Sequence, residues 1–289
     1  MKTNFLGTGV AMITPFNEDK SVDFKSLKKI INHLIDGQVD YILVMGTTAE
    51  SATLSFDEKN DILDFAKKEI NGRVPIMYGL GGNNTADVID KIEKTDLSGV
   101  DGILTVAPYY NKPNQEGLYQ HFAAIATASP VPVILYNVPG RTVVNILPQT
   151  VVRLANDFEN IVAIKEACGS VDQIMELVRI KPDDFTVISG DDGLTLPLIS
   201  VGVEGVISVI ANAYPKAWSD MIRFAMNGEF KKANPIHYRY LPTVGNMFAE
   251  GNPAGAKAYL AEMGIIKNIL RLPMVKVSDS LLEKIKADM

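Results

Sequence analysis

Short apolar segments alternate along the chain with longer stretches in which apolar residues recur at the spacing of one helix face. The apolar segments are residues 9–15, 41–46, 74–81, 100–108, 131–139, 161–167, 185–190 and 205–212. The helical stretches are residues 23–38, 57–70, 85–97, 115–128, 147–156, 171–180, 195–201 and 215–227. Segments that are apolar on both faces are typical of parallel strands covered by helices. The pattern therefore predicts eight consecutive strand–helix units.

Eight such units in succession are typical of a closed (β/α)8 barrel, the TIM barrel of the α/β class. A doubly wound open sheet shows the same alternation and is the competing interpretation. The G-x-G-x-x-G turn of that fold has only a weak counterpart at residues 79–83, so we predict the barrel.

The strand pattern stops after about residue 228, and the rest of the chain shows helical patterns with many apolar residues. We predict a barrel over residues 1–228 and a C-terminal helical region over residues 229–289. The apolar content of this helical appendix exceeds what a solvent-facing tail needs, so we expect it to pack on the barrel or on a partner subunit.

The composition of the chain argues against several classes of partner and location. The chain has 289 residues, 47% hydrophobic, and a net charge of −6, which argues against nucleic acid or an anionic membrane as a partner. Cys168 is the only cysteine, so no disulfide framework is possible and a reducing cytoplasm fits best. The first ten residues resemble no signal peptide, and no apolar run reaches the about 18 residues of a membrane span. We expect a cytoplasmic protein.

Lys165 is the strongest candidate for a reactive group. It ends the sixth apolar segment, where residues 161–167 are Ile-Val-Ala-Ile-Lys-Glu-Ala. Apolar surroundings disfavour an ammonium group, and a neutral amine can attack a carbonyl carbon. This predicts Schiff-base chemistry. The alternative is a strand-end lysine that reaches solvent or pairs with Glu166.

Further polar residues and special backbone positions fall where the other predicted strands end, which is where barrel enzymes place their active sites. These positions are Thr47, Thr48, Tyr110, Tyr136, Arg141, Gly190 and Ile207. Each also has an ordinary explanation. Threonines before a helix commonly cap it, tyrosines pack at rims, and an arginine beside a turn is often solvated. Their convergence on one end of the barrel favours a site.

Metal chemistry is not indicated. Asp191 and Asp192 are adjacent, but no histidine or third patterned carboxylate lies near them, so loop and cap roles are preferred. His33, His121 and His237 are scattered over helical stretches, which argues against a zinc site or a histidine-based triad. We expect no metal site.

Four spaced motifs resemble the dihydrodipicolinate synthase family. They are Gly-Thr-Thr-x-Glu-Ser at 46–51, Pro-Tyr-Tyr-Asn-Lys-Pro at 108–113, Tyr-Asn-Val-Pro-Gly-Arg-Thr at 136–142 and Ile-Lys-Glu-Ala at 164–167. The resemblance covers nearly the full barrel. It implies a cofactor-free class I aldolase-type lyase, a homotetramer built as a dimer of dimers, in the diaminopimelate and lysine pathway. Such an enzyme condenses pyruvate with L-aspartate 4-semialdehyde to 4-hydroxy-tetrahydrodipicolinate.

The resemblance also implies a role for each candidate. Lys165 forms the Schiff base, and Thr48, Tyr136 and Tyr110 relay protons, with Tyr110 coming from a neighbouring subunit. Thr47 and Thr48 hold the pyruvate carboxylate, Arg141 holds the semialdehyde carboxylate, and Gly190 and Ile207 contribute backbone around the pocket.

Two other functions stay open at this point. N-acetylneuraminate lyases and keto-deoxy-sugar-acid lyases share the threonine, tyrosine and lysine motifs, but they lack the Gly-Arg-Thr continuation found at 140–142. A barrel retained for binding without turnover is the second alternative, and the intact candidate residues argue against it.

In lysine-inhibited members of the family, an effector site lies near the tight-dimer interface. The corresponding positions are Ala52, Phe56, Lys59, Asn83, Asp87 and Tyr109. Phe56 and Lys59 replace histidine-type residues there, and a cation at Lys59 repels the ammonium of lysine if it points inward. We expect weak or absent feedback inhibition, although Asn83 and Tyr109 retain part of the site.

Overall fold

The computed structural model describes residues 5–289, so part of the N-terminal segment in which no signal peptide was predicted lies outside the described residues. Eight parallel strands form a closed barrel in chain order, and β1 pairs with β8 to complete it. The strands are β1 Gly7–Ala11, β2 Tyr41–Val44, β3 Ile76–Gly79, β4 Gly102–Val106, β5 Val133–Asn137, β6 Ile161–Glu166, β7 Thr186–Ser189 and β8 Gly205–Ser208. The predicted (β/α)8 fold class is confirmed.

Helices connect the strands and cover the outside of the barrel. They are α1 Phe24–Asp36, α2 Phe56–Ile70, α3 Thr85–Lys94, α4 Gln115–Ala128, α5 Pro139–Thr142, α6 Pro148–Asp157, α7 Val171–Ile180, α8 Thr195–Ser200 and α9 Pro215–Met226. Side-chain caps explain several starts. Ser55 and Glu58 form reciprocal bonds at the start of α2, which fixes where the β2–α2 loop ends.

Three further helices follow the barrel: α10 Phe230–Phe248, α11 Ala254–Glu262 and α12 Asp279–Asp288. They pack on the barrel, where the ring centroids of Tyr214 and Tyr240 lie 4.8 Å apart. The Asp288 carboxylate accepts hydrogen bonds from Thr243 Oγ1 at 2.5 Å and Tyr259 OH at 2.6 Å, which ties α12 to α10 and α11. The boundary between the two regions at residue 228 stays a prediction.

Two apolar layers hold the fold together. The larger lies between the strands and the surrounding helices, and a smaller cluster fills the barrel interior. The interior cluster includes Leu43, Met77, Leu104 and Ile134, and near the carboxyl ends of the strands it includes Tyr136. Side chains therefore fill the barrel interior, and the active sites of such barrels lie at the carboxyl ends of the strands.

None of the helices described between residues 5 and 289 combines the length and the apolar character needed to cross a membrane.

Candidate active site

Lys165 lies at the carboxyl end of β6 with its side chain turned into the barrel. It is 6% exposed, and its Nζ lies 4.4 Å from the centroid of the Tyr136 ring. The two residues are register partners on adjacent strands, which places them side by side. Within the described residues Lys165 forms no ion pair, so its amine faces an aromatic ring and the barrel interior.

Gly190 makes room for this lysine. It follows β7, and a Cβ added there would lie 3.0 Å from Lys165 Cε and 2.8 Å from Ala167 Cβ. The Gly190 N–H donates to the Glu166 carbonyl at 2.7 Å, which brings the backbone against β6. A larger residue at this position would displace the Lys165 chain, so glycine is required for steric reasons.

Glu166 points to the outside of the strand and has partners of its own. Asn137 Nδ2 donates to its two carboxylate oxygens at 3.0 and 3.1 Å, and the Cys168 N–H donates at 2.9 Å. Burial raises the pKa of Glu166 despite these donors. This network ties β5 to β6, and therefore holds Tyr136 beside Lys165. It also places the carboxylate away from the Lys165 amine.

The β2–α2 loop carries the two candidate threonines in a 3-10 turn, Thr47–Ala49. Thr47 is exposed to the cavity described below, whereas Thr48 is 2% exposed. The Thr48 hydroxyl accepts a hydrogen bond from Asn252 Nδ2 at 2.8 Å. The residue that caps this turn is Gly46, not a threonine.

A cavity of about 610 Å³ opens beside these residues, and Thr47, Tyr136 and Arg141 all line it. Arg141 belongs to the one-turn helix α5, which the sequence did not predict. The Thr142 hydroxyl donates to the carbonyls of Val138 and Val144, and this fixes the turn. Arg141 has no ion-pair partner among residues 5–289, so its guanidinium is an unpaired cation at the cavity. The turn holds the backbone that carries it.

The structure does not bring every candidate together within one chain. Tyr110 is 85% exposed, has a φ of 78° and does not line the cavity, whereas its neighbour Tyr109 does. Ile207 is buried on β8 in the same interior cluster as Tyr136. The carboxyl end of the barrel thus brings together Lys165, Tyr136, Gly190 and Ile207. Tyr110 does not belong to this group.

The positions predicted for an effector site line the same cavity. They are Ala52, Phe56, Lys59, Asn83, Asp87 and Tyr109. Lys59 forms no ion pair in the described part of the chain, and burial, followed by the nearby Lys91 cation, lowers its pKa. One continuous space thus joins this set to Thr47, Tyr136 and Arg141.

No cluster of three or more metal-ligating side chains occurs between residues 5 and 289. Asp191 Oδ1 accepts from the Leu194 N–H at 3.1 Å, and Asp192 accepts from the N–H groups of Val209 and Ile210 at 2.8 and 3.0 Å. Both aspartates therefore hold loops in place.

The sequence did not predict the contacts that the C-terminal helical region makes with the site. Lys257 on α11 is fully buried and pairs with Glu50 at 2.5 Å, while the Arg271 N–H donates to the second Glu50 oxygen at 3.0 Å. Asn252 reaches Thr48 from the same region. These contacts span more than 200 residues, and no local pattern in the sequence indicates them.

Comparison with known proteins agrees with this architecture. The sequence profile of the Dihydrodipicolinate synthetase family matches residues 4–289. A relative from Flavobacterium psychrophilum named 4-hydroxy-tetrahydrodipicolinate synthase is 51% identical over 96% of this chain and 94% of its own length. The dihydrodipicolinate synthase structure from Aquifex aeolicus is 41% identical with a TM-score of 0.95, covering 98% of this chain and 96% of its own. The chloride-inhibited enzyme from Acinetobacter baumannii, solved with pyruvate, is 39% identical with a TM-score of 0.95, covering 98% and 97%. This chain belongs to the dihydrodipicolinate synthetase family.

Proposed function

We propose that this protein is a 4-hydroxy-tetrahydrodipicolinate synthase, a lyase of diaminopimelate and lysine biosynthesis that condenses pyruvate with L-aspartate 4-semialdehyde. The observation that carries the proposal is the buried Lys165 amine beside the Tyr136 ring, next to a cavity that Arg141 also lines. The relatives' names support the same activity.

The reaction begins at Lys165. Its neutral amine attacks the keto carbon of pyruvate, and loss of water from the resulting carbinolamine leaves an iminium ion. The iminium withdraws electrons from the methyl group, so loss of a methyl proton gives an enamine. The enamine carbon then attacks the aldehyde carbon of the semialdehyde, forming the new carbon–carbon bond. The substrate amine finally displaces Lys165 and closes the ring.

Each proton transfer needs a group near the reacting carbon, and we assign this relay to Thr48, Tyr136 and Tyr110. Tyr136 lies against Lys165, and Thr48 lies on the neighbouring β2–α2 loop. Hydroxyl groups both donate and accept, so a chain of them moves a proton without forming a free anion.

Substrate recognition is assigned to the remaining candidates. Thr47 and Thr48 bind the pyruvate carboxylate, while the guanidinium of Arg141 binds the semialdehyde carboxylate in a bidentate manner. Gly190 and Ile207 supply the backbone around the reacting carbon. The unpaired charge of Arg141 supports the preference for an acidic second substrate over the sugar acids of the related lyases.

The assembly and its location follow the same proposal. A homotetramer, built as a dimer of dimers in the cytoplasm, places Tyr110 of one subunit in the site of its neighbour. The high exposure of Tyr110 supports this assignment, because the side chain has space for a partner.

Lysine inhibition should be weak or absent. Lys59 lines the cavity without an ion-pair partner in the described residues, so its charge opposes a second ammonium group. Enzyme assays over a lysine titration test this, and Lys59→Gln should increase lysine sensitivity. Strong inhibition of the unmodified protein at micromolar lysine would contradict the expectation.

Borohydride trapping tests the proposal as a whole. Intact mass should show a reduced pyruvate adduct on the unmodified protein and on Lys267→Ala, a surface control, but not on Lys165→Ala. Turnover with the semialdehyde should accompany the adduct. An adduct without this turnover would favour a sugar-acid lyase, and no adduct would exclude Schiff-base chemistry.

A further inference from the structure

We propose that Asn252 is a positioning residue that orients the Thr48 hydroxyl for proton transfer. The inference rests on the proposed function, because it assigns a direction to the relay in the same site. Asn252 lies between α10 and α11 and lines the cavity, and its Nδ2 donates to Thr48 Oγ1 at 2.8 Å.

The direction of this hydrogen bond decides where the Thr48 proton goes. A hydroxyl has one proton and two lone pairs, whereas an amide nitrogen only donates. Asn252 therefore donates to one lone pair of the Thr48 oxygen. The proton of the Thr48 hydroxyl remains available for another acceptor. Thr48 is 2% exposed and Asn252 is 8% exposed, so bulk water does not compete for these groups. We assign the acceptor of this O–H to the reacting groups of the site.

The C-terminal helices hold the amide in this position. Lys257 on α11 pairs with Glu50, which follows the Thr47–Ala49 turn, at 2.5 Å. The Arg271 N–H donates to the other carboxylate oxygen of Glu50 at 3.0 Å. The turn that carries Thr48 is thus attached to the helical region at two further points. These buried contacts hold the turn in place, and so they keep the Asn252 amide and the Thr48 hydroxyl at hydrogen-bond distance.

The acceptor of the same amide is also informative. Asn252 Oδ1 is buried and has no hydrogen-bond donor among the described residues. An unpaired buried polar atom destabilises the folded state, so this acceptor is open to a further donor. The unfilled acceptor beside a cavity fits a residue arranged for the reaction.

Two variants at this position and one control elsewhere test the proposal. Asn252→Ala removes the donor, Asn252→Asp replaces it with an acceptor, and Asn246→Asp is the matched control. Asn246 also donates from Nδ2 to a hydroxyl, that of Tyr259 at 3.2 Å, but it does not line the cavity. Asn252→Asp should lower kcat at least about tenfold, with little change in the KM for pyruvate, because the carboxylate accepts a hydrogen bond from the Thr48 hydroxyl and turns its proton away from the reaction.

The pH profile separates positioning from a structural role. As the pH falls, the introduced carboxyl group binds a proton and regains a donor, so Asn252→Asp should recover relative to the unmodified protein. Asn252→Ala should stay slow at every pH, and Asn246→Asp should resemble the unmodified protein. Equal kcat in all variants, or a loss that follows thermal stability alone, would overturn the proposal.

Deuterium exchange into the pyruvate methyl group keeps this test independent of the second substrate. Exchange needs only the Schiff base and the relay, so it reports on Asn252 even if turnover with the semialdehyde fails. Slow exchange in Asn252→Asp with normal borohydride trapping supports the positioning role. Normal exchange rates in both Asn252 variants would exclude it.

Discussion

At the scale of single residues, we expect the hydroxyl and the ring of Tyr136 to have separable roles. The ring packs against the Lys165 amine at 4.4 Å, while the hydroxyl is assigned to the proton relay. Tyr136→Phe keeps the ring, so borohydride trapping should persist. Its kcat should fall by about 10²- to 10⁴-fold, the usual contribution of a general acid or base.

Steady-state kinetics with both substrates provide the measurement, and Tyr119→Phe is the control. The Tyr119 hydroxyl donates to Asp157 at 2.8 Å on the outer surface, so its loss should leave kcat unchanged. A Tyr136→Phe protein with normal kcat would remove this residue from the relay.

His121 should make the protein less stable in mild acid. It is buried on α4, and burial lowers its pKa from 6.5 to about 4. Between these values the unfolded chain binds more protons than the folded one, so the free energy of unfolding falls as the pH drops from 6.5 towards 4. The shift corresponds to about 3 kcal/mol.

Urea unfolding across this pH range tests the effect. Carboxylates also titrate in this range, but they are the same in the unmodified protein and in His121→Gln. The difference between the two proteins in the pH dependence of the unfolding free energy therefore reports on the histidine alone. The variant should lose less stability on acidification. Identical pH slopes would show that His121 does not bind a proton on unfolding.

Lys165 and Tyr136, the candidate reactive residues, could be predicted from the sequence, whereas the residues that support the site could not. Lys165 and Tyr136 lie at strand ends, and the hydrophobic pattern that places the strands also places them. Asn252 lies 204 residues from Thr48, and Arg271 lies 221 residues from Glu50. Packing of the C-terminal helices creates these contacts, and no local periodicity encodes it.

At the scale of elements, the buried pair of Glu50 and Lys257 fastens α11 to the β2–α2 loop. Both side chains are at most 1% exposed, and burial lowers the pKa of Lys257 to about 8 although Glu50 opposes that shift. Glu50→Ala removes the countercharge and leaves the ammonium buried. We expect a loss of about 3–5 kcal/mol in unfolding free energy.

Chemical denaturation measures this loss, and a double variant identifies its cause. Glu50→Gln combined with Lys257→Met removes both charges, so it should be more stable than Glu50→Ala. A double variant that is no better would show that lost packing, and not an unpaired charge, destabilises Glu50→Ala.

Helix ends were predicted more closely than the single turns that shape the site. Helix α4 begins and ends where the pattern placed it, at Gln115 and Ala128, because its Asn114 cap and amphipathic spacing are local signals. Helix α5 was missed. Its four residues, Pro139–Thr142, are too few to show a period, although they fix the position of Arg141.

At the scale of the whole molecule, barrel closure brings together side chains that are distant in sequence. Residues from the ends of β2, β5, β6 and β7 meet because parallel strands in one barrel share their carboxyl edge. The described chain nevertheless leaves Tyr110 outside this group, exposed and with a left-handed backbone. If the relay includes Tyr110, the site is complete only in an assembly.

Mixing two inactive variants tests whether the assembly completes the site. A dimer of one Tyr110→Phe subunit and one Lys165→Ala subunit contains one site with both native residues, provided that the tyrosine comes from the neighbour. Random exchange of equal amounts should restore about a quarter of the native activity. Tyr136→Phe mixed with Lys165→Ala is the control, because both changes affect the site of their own subunit and no mixed dimer regains a native pair. Recovery in the first mixture alone places Tyr110 in the neighbouring site, whereas no recovery in mixtures that form hybrid dimers would assign it elsewhere.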